Sequence, residues 1–150
     1  MNRILGGLLA TCLLLAGCSV NPVTGNKELT LVSEAQELAI GMQNYAPLRQ
    51  AQGGDYVVDP AVGAYVNQVG QRLAAVSDRK LPYEFHVLNN SSPNAWALPG
   101  GKIVINRGLL TELESEAELA ALLGQELGHV NARHTAERMT KGMMLQALVG

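Results

Sequence analysis

One carboxylate and one imidazole stand three residues apart in Leu122-Leu123-Gly124-Gln125-Glu126-Leu127-Gly128-His129-Val130-Asn131-Ala132-Arg133-His134. On a helix, Glu126 and His129 share a face, and Gln125 sits one turn before His129. Leu119, Leu122, Leu123, Leu127 and Val130 recur at helical spacing and are expected to pack inward on the other side. Two imidazoles at i and i+4 with a glutamate between them form the His-Glu-x-x-His arrangement, in which the histidines hold zinc and the glutamate is general base. The last four positions of that pattern are present, and Gln125 occupies the first.

Peptide hydrolysis at neutral pH needs a strong nucleophile and stabilisation of charge on the carbonyl oxygen. Zinc supplies both, with three protein ligands and a fourth position left for water. A glutamine offers a neutral oxygen where such sites use imidazole nitrogen or a charged ligand. His129 is then the one intact ligand, and the sequence as written does not build a tight zinc site alone. His134 lies five residues past His129, about 140° round an ideal helix, so a structural or supporting role is expected rather than ligation. His86 reads as a surface or packing histidine. Glu112, Glu114, Glu116 and Glu118 read as solvated charges favoured by a helix start.

The words around the motif carry a resemblance. Glu116-Ala117-Glu118-Leu119-Ala120-Ala121-Leu122-Leu123-Gly124 before it and Val130-Asn131-Ala132-Arg133-His134 after it resemble metallopeptidase family forty-eight, the zinc endopeptidases of the Ste-type, HtpX and beta-barrel assembly-enhancing kind. Asn94-Ala95-Trp96-Ala97-Leu98-Pro99-Gly100-Gly101 and Val104-Ile105-Asn106-Arg107-Gly108-Leu109-Leu110 resemble the segment before the active helix in the bacterial lipoprotein branch. The resemblance implies His129 as a zinc ligand, Glu126 as the base that takes the proton from water, and Gln125 at the position of a missing histidine. It places the third ligand, a glutamate on a later helix, after residue 150. It also implies that Asn94, Ala95, Trp96, Ala97 and Leu98 form a strand at the rim of the cleft, whose edge can take an extended peptide as an added strand. The plainer alternative is that this hairpin only braces the helix.

The elements that must position these residues can be read from caps and breakers. Residues 1–17 have a short basic start and an apolar run too short to span a bilayer comfortably, and Leu15-Ala16-Gly17-Cys18 resembles a lipobox. That implies a signal peptide over 1–17, lipid on Cys18, and, with Ser19 next, anchoring at the bacterial outer membrane facing the periplasm. Cys12 would leave with the signal, so the chain's two cysteines provide neither a thiol nucleophile nor a cysteine zinc site. Residues 18–32 read as a tether rich in turn formers, and 33–150 as the N-terminal part of a peptidase domain.

Ser33 with Gln36 makes a capping box for a helix with Leu38, Ala39, Met42 and Tyr45 inward, stopped at Pro47. Asp59-Pro60 starts a second helix, carrying Val62, Tyr65, Val66, Val69, Leu73 and Val76. Tyr83 to Leu88 is a strand. Asn94–Leu98 and Lys102–Asn106 are two more, joined by a glycine turn. Ser115 with Glu118 makes a capping box for the active helix, expected to run to about His134. Met139, Met143, Met144, Leu145 and Leu148 read as gap-filling core, with lipid or partner contact as the alternative.

The expected fold is therefore α+β and zincin-like. The near-balance of 11 basic and 13 acidic residues leaves no stripe for nucleic acid. Two functions compete: a zinc endopeptidase acting on envelope proteins, and a peptidase-like lipoprotein that binds unfolded envelope proteins without cleaving them. Protein or peptide substrates are the expected partners in both.

Overall fold

A computed structural model describes residues 18–21 and 23–149. The expected signal peptide lies outside the described residues, as does the Cys18 side chain. The order is β1 (Cys18–Val20), β2 (Lys27–Leu29), α1 (Glu34–Ala51), α2 (Pro60–Ala75), β3 (Glu84–Leu88), β4 (Ala95–Leu98), β5 (Lys102–Asn106), α3 (Arg107–Leu110), α4 (Glu116–Asn131) and α5 (His134–Val149). This is the expected α+β class. Among the described residues no helix is long and apolar enough to cross a membrane.

β3, β5 and β4 form one sheet in that spatial order, β5 parallel to β3 and antiparallel to β4. The central strand is buried along its whole length. The β4–β5 hairpin closes through Gly100 and Gly101 at φ 82 and 88, a conformation glycine reaches without steric cost. On one face of the sheet, Phe85, Val87, Ile103 and Ile105 pack with Val66 and Val69 of α2 and with Leu119, Leu123, Leu127 and Val130 of α4. On the other, Leu88 and Val104 pack with Tyr45 of α1, flanked by Trp96 and Leu98. Each buried aliphatic side chain of this kind stabilises the fold by about 1.5–3 kcal/mol, so the two clusters fix the sheet between α1 and the α2–α4 pair.

The helix starts follow the sequence. Ser33 Oγ accepts from Gln36 N–H, and the Gln36 side chain accepts from Ser33 N–H. Asp59 caps α2 through Ala61 N–H, with Pro60 at the first helical position. Ser115 accepts from Glu118 N–H, but the Glu118 carboxylate turns to Glu114 N–H at 2.6 Å instead of completing a box.

Several expectations are corrected. Pro47 does not stop α1, which continues to Ala51. A proline frees the carbonyl four residues earlier, and both Gln43 and Pro47 face solvent, where water replaces that bond. The inner face of α1 is Glu37, Gly41 and Tyr45, while Met42 is 72% exposed. Val76 lies past the end of α2 and is exposed, as are Met143, Met144, Leu145 and Leu148 on α5, which are therefore not core in this chain. Within the segment read as a tether, β1 and β2 pair as a hairpin and Asn21 is buried.

Candidate active-site groove

The active helix ends sooner than its apolar period suggests. α4 stops at Asn131, Arg133 takes a left-handed φ of 57, and α5 restarts at His134. That conformation costs a non-glycine residue roughly 1–2 kcal/mol, so neighbours must hold it. Arg133 Nη2 donates to Val32 O at 2.7 Å, and its Nε pairs with Glu37. Asn21 Nδ2 donates to Ala132 O at 3.0 Å. Hydrogen bonds contribute about 1 kcal/mol each and somewhat more when charged, so these contacts together outweigh the strain.

Behind the break lies a buried polar hub. Glu37, 2% exposed, also receives Arg79 Nη1 at 3.1 Å, and the same nitrogen donates to Val130 O at 2.9 Å. Arg79 Nη2 meets Glu34 at 3.0 Å. Asn131 accepts from Tyr83 Oη at 2.6 Å and donates to Ser77 Oγ at 2.8 Å. Every polar side chain of this hub therefore has partners, and the C-terminal end of α4 is fixed in rotation.

That rotation sends Glu126 and His129 outward into a groove of about 590 Å³, lined also by Ala95, Trp96, Ala97 and Leu98 of β4 and by Arg138 and Met139 of α5. Glu126 is half-buried, and burial pushes its carboxyl above the ordinary range, an effect that the His129 charge partly offsets. Trp96 is held at the rim by Nε1 donating to Gln52 Oε1 at 3.0 Å. The helix and the strand named from the sequence thus share one groove. Asn94 falls just outside the strand, where its carbonyl accepts from Asn106 N–H, and it does not line the groove. Gln125 is exposed and does not line it either.

The break also brings His134 to His129, with Nδ1 to Nδ1 at 2.8 Å and ring centroids 5.0 Å apart. The angular separation expected of a continuous helix is therefore lost. Sequence reasoning missed this pairing because Ala132-Arg133 contains no helix breaker; the signal lies in partners distant in the chain, Asn21 and Glu37. His86 packs as expected, edge-on to Tyr45 at 5.7 Å and 3.4 Å from Asp55. The acidic run is exposed, with Glu116 engaged by Tyr65 at 2.5 Å and Arg72 at 2.6 Å.

The zinc implied by the resemblance can be tested against these donors. His129 offers an imidazole whose Nδ1 is engaged by His134, and the next position along the helix face offers only a neutral amide, Gln125. Among the described residues no three His, Cys, Asp or Glu side chains converge in a way that could hold a metal. This donor set does not fit a zinc centre, and no metal-borne step is assigned to it.

Known proteins are similar to this chain in sequence. The beta-barrel assembly-enhancing protease of Yersinia pestis is 33% identical over 134 residues, covering 85% of this chain and 26% of that protein. The protein of the same name from Escherichia coli strain K12 is 32% identical over 120 residues, covering 79% of this chain and 24% of its own. The mitochondrial metalloendopeptidase OMA1 of Schizosaccharomyces pombe is 43% identical over 76 residues, half of this chain and 23% of that protein. The chain spans about a quarter of the length of these relatives. The model of Peptidase family M48 matches residues 60–150, from the first residue of α2 through the groove, and the chain belongs to that family.

Proposed function

We propose that the groove binds an extended segment of an unfolded envelope protein, added as a strand along β4 with its backbone over Glu126 and His129. One observation carries this reading: the outer edge of β4 has no backbone partner among the described residues, and the strand lines the same groove as Glu126 and His129. An unpaired edge offers main-chain hydrogen bonds that are independent of sequence, which suits unfolded clients. The apolar wall of Ala97, Leu98, Val130 and Met139 would take the client's side chains.

The family resemblance implies a zinc endopeptidase, in which a metal would supply activated water, but the donors present in this chain do not fit that ion. Here Glu126 is the group able to accept a proton beside the peptide, and its raised pKa makes it a better acceptor near neutral pH. Gln125 favours a chain that holds peptide without cleaving it. Zinc-dependent hydrolysis by this chain, lost in Glu126→Gln, would overturn that part. Lipid on Cys18 would tether the domain to the outer membrane, facing periplasmic clients.

Trp96 is the chain's single tryptophan, and it lines the groove. Its emission, titrated with a reduced unfolded polypeptide, is expected to shift and saturate, while the folded form of the same polypeptide leaves it unchanged. No shift with the unfolded form would sink the proposal.

A further inference from the structure

Among the described residues, the segment between Cys18 and α1 meets the domain where α4 gives way to α5 and along α5, through buried or half-buried groups. Asn21 is 3% exposed. Its Oδ1 accepts from Val23 N–H at 2.9 Å and Thr24 N–H at 3.2 Å, folding a tight Asx turn. The turn presents Nδ2 to Ala132 O, at the C-terminal end of α4, where the chain leaves its last helical carbonyls without intrahelical partners. Farther along, Leu31 N–H donates to Thr140 Oγ1 at 3.0 Å and Val32 O accepts from Arg133. The segment therefore touches the break on both sides: Ala132 and Arg133 at the turn, and Thr140 on α5.

His129 lies three residues before Ala132, and His134 two residues after it. Their 2.8 Å approach exists because the chain turns at this break instead of continuing as one helix. A side chain that fixes the Ala132 carbonyl fixes the direction in which α5 leaves α4, and with it the meeting of the two imidazoles.

We infer that Asn21 is a positioning residue for the His129–His134 pair: the 18–33 segment is a strap that sets the geometry of the groove, not a spacer between lipid and domain. This reaches beyond the peptide-binding reading, and its test uses neither peptide nor metal, so the two can fail separately.

The chain has three histidines, and His86 lies on β3 away from the strap, so it serves as an internal control. In the full chain labelled at histidine, Asn21→Asp keeps an oxygen for the Asx turn but cannot donate to Ala132 O. The side-chain nitrogen resonances of His129 and His134 are expected to move toward those of independent imidazoles, with His86 unmoved. Thr140→Val removes the acceptor of Leu31 N–H without adding charge, and it is expected to move the same pair by a smaller amount. This second variant decides the matter if Asn21→Asp fails to fold. Unchanged His129 and His134 signals in the folded variants would overturn the inference. So would movement of all three histidines together, which would make Asn21 a prop for the whole fold.

Discussion

The three-stranded sheet has two outer edges, and the chain treats them differently. Along β3, the loop after α1 closes the edge: Tyr56 N–H donates to Val87 O and Asn89 N–H to Gly54 O, both at 2.9 Å, around the Asp55–Leu88 bridge. Along β4, no described backbone group takes that place. An open edge invites pairing with other chains, and proteins ordinarily blunt it. Here the sealed edge shows that the chain has the means to cover a strand. The open one is four residues long and faces a groove containing the half-buried Glu126 carboxylate and the His129 imidazole. The open edge, held by β5, thus lies beside Glu126 and His129, whose helix end is fixed by the hub behind α4.

The hub is therefore where the comparison breaks most severely. Glu37→Ala leaves Arg79 and Arg133 without their shared carboxylate, and removing one member of a buried ion pair costs about 3–5 kcal/mol. Urea unfolding is expected to show that loss, and the β4 edge should no longer face His129.

Gly53→Ala attacks the sealed edge. Gly53 has φ 107, and an added Cβ would lie 2.6 Å from Asn89 O, so the covering loop must shift at a cost of about 1–3 kcal/mol. Hydrogen exchange is expected to quicken at Tyr56 and Asn89 and to leave β4 unaltered. Trp96→Phe removes the bond to Gln52 and is expected to cost about 1 kcal/mol in the same unfolding assay.

The smallest effect concerns pH. Burial, aided by Arg49, lowers the His86 pKa from 6.5, with Asp55 and Glu84 partly offsetting it. The unfolded chain then binds this proton more tightly than the folded one, so stability falls as pH drops through 6.5 and below. His86→Gln is expected to flatten that part of the melting-temperature profile.

How much of this was legible in the sequence depended on whether the determinant was local. Ser33 with Gln36, Asp59-Pro60 and Gly100-Gly101 act within a few residues, and each produced the expected cap or turn. The strand 94–98 and the helix bearing Glu126 and His129 were likewise placed from local pattern, and they share one groove. Pro47 misled because its cost depends on whether the freed carbonyl reaches water, which the sequence does not display. The break at Arg133 was invisible because the residues that hold it, Asn21 and Glu37, lie about a hundred positions away. The exposure of Met143 and Leu148 follows from what α5 packs against, not from its period.

The most direct test of the account is hydrogen exchange along β4, measured with and without a reduced unfolded polypeptide. Added protection is expected across Ala95–Leu98, with no change at Tyr56 and Asn89. Protection appearing on the β3 side, or none appearing at β4, would contradict it.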